Sequence, residues 1–225
     1  MKGLFASNTF QTQVVAVRLP GPHLKMRAME DNRFDRAARF ASILIHPVVV
    51  MTVAATVAGG ASNDASGVAW QALGATVVAA VLVMLYSARQ ARSGRWSHID
   101  ASQRHERSQL NRFASWMLLA FAAVLAAVGT HRGIVAAIGL SGLIVFAGHL
   151  LRGRLKSSLH VAFAAFATGI VWPHPVAFVG LLLATLVVAW SRFALRRHEV
   201  RELIVGAAIG LVCGVVFQLI VNAPA

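Results

Sequence analysis

Cysteine occurs once in this 225-residue chain, and Asp and Glu together only eight times. The lone Cys213 excludes a disulfide framework and, inside an apolar run, reads as a packed thiol. The eight carboxylates form no Asp-rich box. That argues against metal-dependent prenyl transfer or nucleotidyl-alcohol transfer, whose divalent cations need clustered oxygen ligands. The first 38 residues lack the apolar core of a secretory signal. Asp, Glu, Lys and Arg are absent from 41–63, 65–88, 113–131, 133–151, 157–191 and 203–225. A soluble domain would scatter charge along amphipathic elements, so these runs exclude one.

A bilayer core needs roughly 17–25 apolar residues per crossing. The expected fold is therefore all-α, a polytopic transmembrane helical bundle of six or seven spans. They fall at about 41–59, 66–88, 112–130, 133–151, 157–172, 175–191 and 203–222. Span 157–172 is short and is expected to be sheltered by its neighbours. Gly59 to Asp64 and Trp172-Pro173-His174-Pro175 supply turns. Gly206, Gly210 and Gly214 recur every four residues and predict a close helix approach. Residues 1–38 read as a basic cytoplasmic leader, amphipathic around 28–40, with Met26 or Met29 as alternative starts. Residues 39–225 form the transmembrane domain, and a homo-oligomer is compatible with it.

The net charge of +13 raises the question of a nucleic-acid partner. The basic residues flank apolar spans instead of tracking a groove, so the partner they fit is a membrane with phosphate headgroups. With seven crossings, only Arg132 of the 21 Lys and Arg falls on the less basic side. The positive-inside rule makes the basic side cytoplasmic. The expected location is an integral membrane protein of a bacterial inner membrane.

Three polar segments converge on that basic side. They are Arg95 to Ser108, Lys156 to His160, and Ser191 to Glu202. In the third, helical spacing puts His198 and Glu202 on one face, with Arg192 before them. Glu202 can orient the imidazole, and Arg192 can hold an oxyanion. In the second, Ser158 is placed to cap a helix from Leu159, whose amides attract anions. Lys156 adds charge there and His160 a titratable donor. Read singly, these are capping, juxtamembrane and interfacial residues. Read together, they equip a membrane surface for histidine attack on a phosphate ester. His46 and His149 lie inside apolar spans with no carboxylate nearby in sequence, and structural roles are expected for them. His98 and His105 are expected at the interface, and His131 and His174 at the far side.

The second and third segments resemble two later motifs of the type 2 phosphatidic acid phosphatase superfamily, Pro-Ser-Gly-His and Ser-Arg-x5-His-x3-Asp. Ser158 and His160 match the first, where Ser157 replaces Pro and Leu159 replaces Gly. Ser191, Arg192 and His198 match the other, where Glu202 replaces Asp. The resemblance covers roughly 88–222. The earliest family motif, Lys-x6-Arg-Pro, is not matched: Asp100 stands at its Lys, Arg107 at its Arg and Ser108 at its Pro. The resemblance implies a phosphatase-like helical core and a lipid phosphate or diphosphate substrate. It implies that His198 attacks phosphorus to form a phosphohistidine, that Glu202 holds its tautomer, and that His160 protonates the leaving alkoxide and then activates water. Arg192, Lys156, Ser158 and Arg104 or Arg107 would stabilise the phosphoryl oxygens, with Asp100 and Ser191 in support. No metal or other cofactor is implied, because fixed cations carry the charge. The competing reading is a catalytically silent headgroup-binding or scaffold protein on the same bundle. A transporter would carry more charge within its spans.

Overall fold

The computed structural model describes residues 35–59, 65–97, 101, 103–153 and 155–224. Their regular structure is all α-helical, without strands among the described residues. The helices are α1 (Asp35–Leu44), α2 (Pro47–Gly59), α3 (Ala65–Arg92), α4 (Arg104–Ala127), α5 (Arg132–Leu151), α6 (Leu159–Ile170), α7 (Pro175–Ala194) and α8 (Val200–Asn222). Residues 1–34, and with them most of the segment expected to be amphipathic, lie outside the described residues.

Among the described residues, five helices are long and apolar enough to cross a membrane, and six spans result if the bent pair α1–α2 counts as one. They mark the chain as an integral membrane protein. Their outward faces agree. Leu183, Leu186, Val212 and Leu219 are more than half exposed, a surface that suits lipid and not water. The expected first span is two helices meeting at 44°, because Pro47 cannot continue the hydrogen-bond ladder. The fourth helix begins at Arg104 and not near 112. Gln103 and Glu106 form a capping box there, which starts the helix while the chain is still polar.

The short span behaves as expected. α6 has 12 residues, about 18 Å at 1.5 Å per residue, well under the ~30 Å of a bilayer core. It can be short because protein surrounds it: α2, α5, α7 and α8 all pack on it, and Phe166 and Ala167 are fully buried. α6 lies parallel to α8 along the glycine stripe. A Cβ on Gly206 would meet the Ser158 carbonyl at 2.6 Å, and one on Gly214 would meet Gly169 Cα at 2.9 Å. A Cβ on Gly210 would collide with the Ala162 carbonyl. Only glycine permits that backbone approach. Both ends of α6 are tied to α8. Ser158 N–H donates to the Glu202 carbonyl at 3.2 Å, and Gln218 Nε2 donates to the Gly169 and Ile170 carbonyls at 2.7 and 3.0 Å.

Small residues also join α3, α4 and α5, through Ala72, Ala75, Ala79, Ala114 and Ala122. Above them the α3–α4 connection is pinned by aromatic and acidic contacts. Tyr86 stacks on Phe113 at 3.8 Å and meets Trp96 edge-on, and Trp96 Nε1 donates to Gln109 at 2.9 Å.

Candidate active site

The site end of the bundle is built from helix ends. α7 closes with a Schellman motif. Arg197 N–H donates to the Arg192 carbonyl at 3.0 Å, and Arg196 N–H donates to the Phe193 carbonyl at 2.9 Å. Its left-handed position is Arg196, at φ 51°, where glycine is the usual occupant. The equivalent turn after α4 does use glycine, Gly129 at φ 74°. His198 N–H also reaches the Arg192 carbonyl, at 3.3 Å. The backbone of Arg192 thus fixes where His198 begins.

His198 does not sit on a helix face, as its spacing from Glu202 suggested. The Schellman turn ends α7 first, and α8 starts only at Val200 with Glu199 as its cap. The expected contact forms by another route. Glu202 occupies the third position of α8 and folds back. Its Oε2 accepts Glu199 N–H at 3.2 Å and meets His198 Nδ1 at 2.9 Å. A carboxylate only accepts, so the neutral imidazole carries its proton on Nδ1 and its lone pair on Nε2. Both side chains are 13% exposed. Burial pushes the His198 imidazole below its ordinary 6.5, against the opposing pull of Glu202. That direction favours the neutral ring, whose lone pair is on Nε2.

Lys156 crosses from the α5–α6 connection and donates to the Arg197 carbonyl at 3.0 Å. Desolvation lowers its ammonium from the ordinary 10.5, helped by the charge of Arg107 and opposed by Glu202. Lys156, Arg196, Arg197, His198, Glu199 and Glu202 line an open cleft of about 810 Å³, with Phe193, Ala194 and Val200 as its apolar wall. Arg196 and Arg197 were not singled out from sequence, where they read as part of a basic loop. Their share in the cleft comes from the turn that projects them.

Arg192 does not line this cleft; it is 5% exposed, and its Nε has no hydrogen-bond partner among the described residues. Ser158 is fully buried and its hydroxyl is likewise unpartnered. Ser158 precedes the first residue of α6, yet the expected side-chain cap bond is not made. Its N–H bonds the Glu202 carbonyl, and its hydroxyl makes no bond among the described residues. His160, on the first turn of α6, lies in the electrostatic field of Arg192, His46, His198 and Arg197.

Ser191 is buried and donates to the Ala38 carbonyl at 2.7 Å, tying α7 to α1. Arg104 donates to the Arg152 carbonyl at 3.3 Å, which brings the start of α4 to the same end as the second segment. Arg104 and Arg107 act on Lys156 electrostatically, but neither lines the cleft. Asp100 and His98 fall outside the described residues. In their segment the buried carboxylate is Glu106, which accepts Ser97 N–H at 2.6 Å and Gln103 N–H at 3.0 Å. It secures the connection and not the cleft.

His46 is the residue that sequence reasoning set aside. Its ring meets that of His160 edge to face, with centroids 5.5 Å apart. The only signal in the sequence was an ionisable residue inside an apolar span, which is a functional candidate by default.

Among the described residues, no group of three or more His, Cys, Asp or Glu is arranged to hold a metal ion. Comparison with family models, with curated proteins and with solved structures gives no match.

Proposed function

We propose that this protein is a membrane phosphohydrolase that removes phosphate from a lipid phosphate or diphosphate through a phosphohistidine. The observation that carries the reading is the His198–Glu202 pair at 2.9 Å, with a free imidazole nitrogen beside a cleft lined by Lys156, Arg196 and Arg197. In this reading Nε2 of His198 attacks phosphorus and the bond to the leaving oxygen breaks. His160 protonates that oxygen, then takes a proton from the water that cleaves the phosphorus–nitrogen bond. Lys156, Arg192 and Ser158 stabilise the developing charge, with Arg104 and Arg107 adding a more distant positive field. Nothing in these steps calls for a metal. The bundle is a phosphatidic-acid-phosphatase-like core, in keeping with the motif resemblance.

The site faces the cytoplasm of a bacterial inner membrane, because its segments lie on the side that, with seven crossings, carries every Lys and Arg but Arg132. The test is phosphate release by purified protein from phosphatidate, phosphatidylglycerophosphate, prenyl phosphate and prenyl diphosphate. Release from at least one, abolished in His198→Ala, supports the reading. Headgroup binding without turnover would replace it with the scaffold reading.

A further inference from the structure

His46 stands at the break between α1 and α2, where Pro47 starts a new helix. Its Nδ1 accepts Val48 N–H at 3.3 Å and so caps that helix. The proton of the neutral ring is thereby assigned to Nε2. His46 is exposed at the break, and His160 is half-buried beside it. The two rings are perpendicular, 5.5 Å between centroids. Arg192 of α7 acts electrostatically on both rings, and Arg197 and His198 of the α7–α8 turn act so on His160.

We infer that His46 and His160 form one coupled acid–base pair, in which His46 sets the protonation of the ring that serves the leaving oxygen. The catalytic half of this statement rests on the phosphohydrolase reading, and the coupling of the rings does not. Two imidazoliums this close, beside buried Arg192, repel one another, so a proton on one ring opposes a proton on the other and the two rings titrate as a pair, in two steps. As the phosphorus–oxygen bond breaks, the leaving oxygen takes a proton from His160. The attacking water later returns one to His160, and the pair ends as it began. His46 touches no reacting atom and is a positioning residue. Without His46, His160 loses the ring packed against it and the splitting of its titration that this ring causes.

The experiment is a pH titration of ¹⁵N-histidine-labelled full-length protein in micelles, followed by NMR. The His160 signal is assigned by its loss in His160→Gln. His46→Asn keeps a cap for Val48, and His46→Phe keeps a ring without a titrating nitrogen. The expected wild-type curve for His160 is broadened into two steps, and both variants collapse it to one. The pH profile of phosphate release then shifts by about tenfold in proton concentration while KM stays within about twofold. A one-step wild-type curve overturns the pairing whether or not the variants fold. An unchanged curve in folded variants does the same. If the wild type releases no phosphate from any lipid, the phosphohydrolase reading fails, and the NMR curves still decide whether the rings are coupled.

Discussion

Replacing Gly210 by alanine adds one methyl group where α8 presses on α6. The new Cβ would collide with the Ala162 carbonyl and lie 2.8 Å from Ala165 Cβ. Neither neighbour is a flexible side-chain end, so the helices must separate. Overpacking of this kind costs about 1–3 kcal/mol, against about 1 kcal/mol gained in helix propensity. The strain is also transmitted to the site, because α8 holds Glu202 while α6 carries His160 and is preceded by Ser158. Gly180→Ala on α7 is the control, since its Cβ would meet nothing within 4 Å. The assay is thermal unfolding in detergent micelles, where each kcal/mol corresponds to about 2–4 °C in a chain of this size. Gly210→Ala should melt several degrees lower and lose activity, while Gly180→Ala should match or exceed the wild type. Equal melting temperatures for the two variants would refute the close-approach reasoning.

Arg196→Gly should raise stability by up to about 1 kcal/mol in the same melts, because glycine takes the left-handed turn position without strain, whereas Arg196→Val should lower it. The acid limb of the kcat/KM profile should lie below pH 6.5, since burial makes His198 harder to protonate than free histidine, whose ordinary value is 6.5. Activity therefore persists as pH falls to that value and is lost only beneath it; a limb above pH 7 would contradict the assignment. In a Cys213→Ala background, a cysteine at Ser93 should resist an impermeant thiol reagent in intact cells, and ready labelling would put the site end outside.

Most of the bundle could be read from the apolar runs, because each long helix is also a long charge-free segment. The exceptions have local causes. α4 starts early because Gln103 and Glu106 cap it within polar sequence, and α1–α2 bends at a proline whose effect on span count hydropathy does not register. The His198–Glu202 contact was legible as a four-residue spacing, but its mechanism was not. A left-handed Arg196 and a glutamate folding back over a helix start are invisible to periodicity. The Gly206, Gly210 and Gly214 stripe predicted a close approach, and the partner that fills it, α6, emerged only in three dimensions. The contact of His46 with His160 joins distant parts of the chain, and so does the Ser191 bond to Ala38. No single-sequence pattern encodes such pairs.

The central claim is that His198 carries the phosphoryl group. Purified wild-type protein should be mixed with a ³²P-labelled lipid phosphate that it hydrolyses, then quenched in alkali within a turnover. The account predicts labelled protein whose label is stable in alkali, is released by mild acid, and maps to His198. His198→Ala should carry none while folding normally. Turnover with no labelled intermediate, or label retained in His198→Ala, would contradict it.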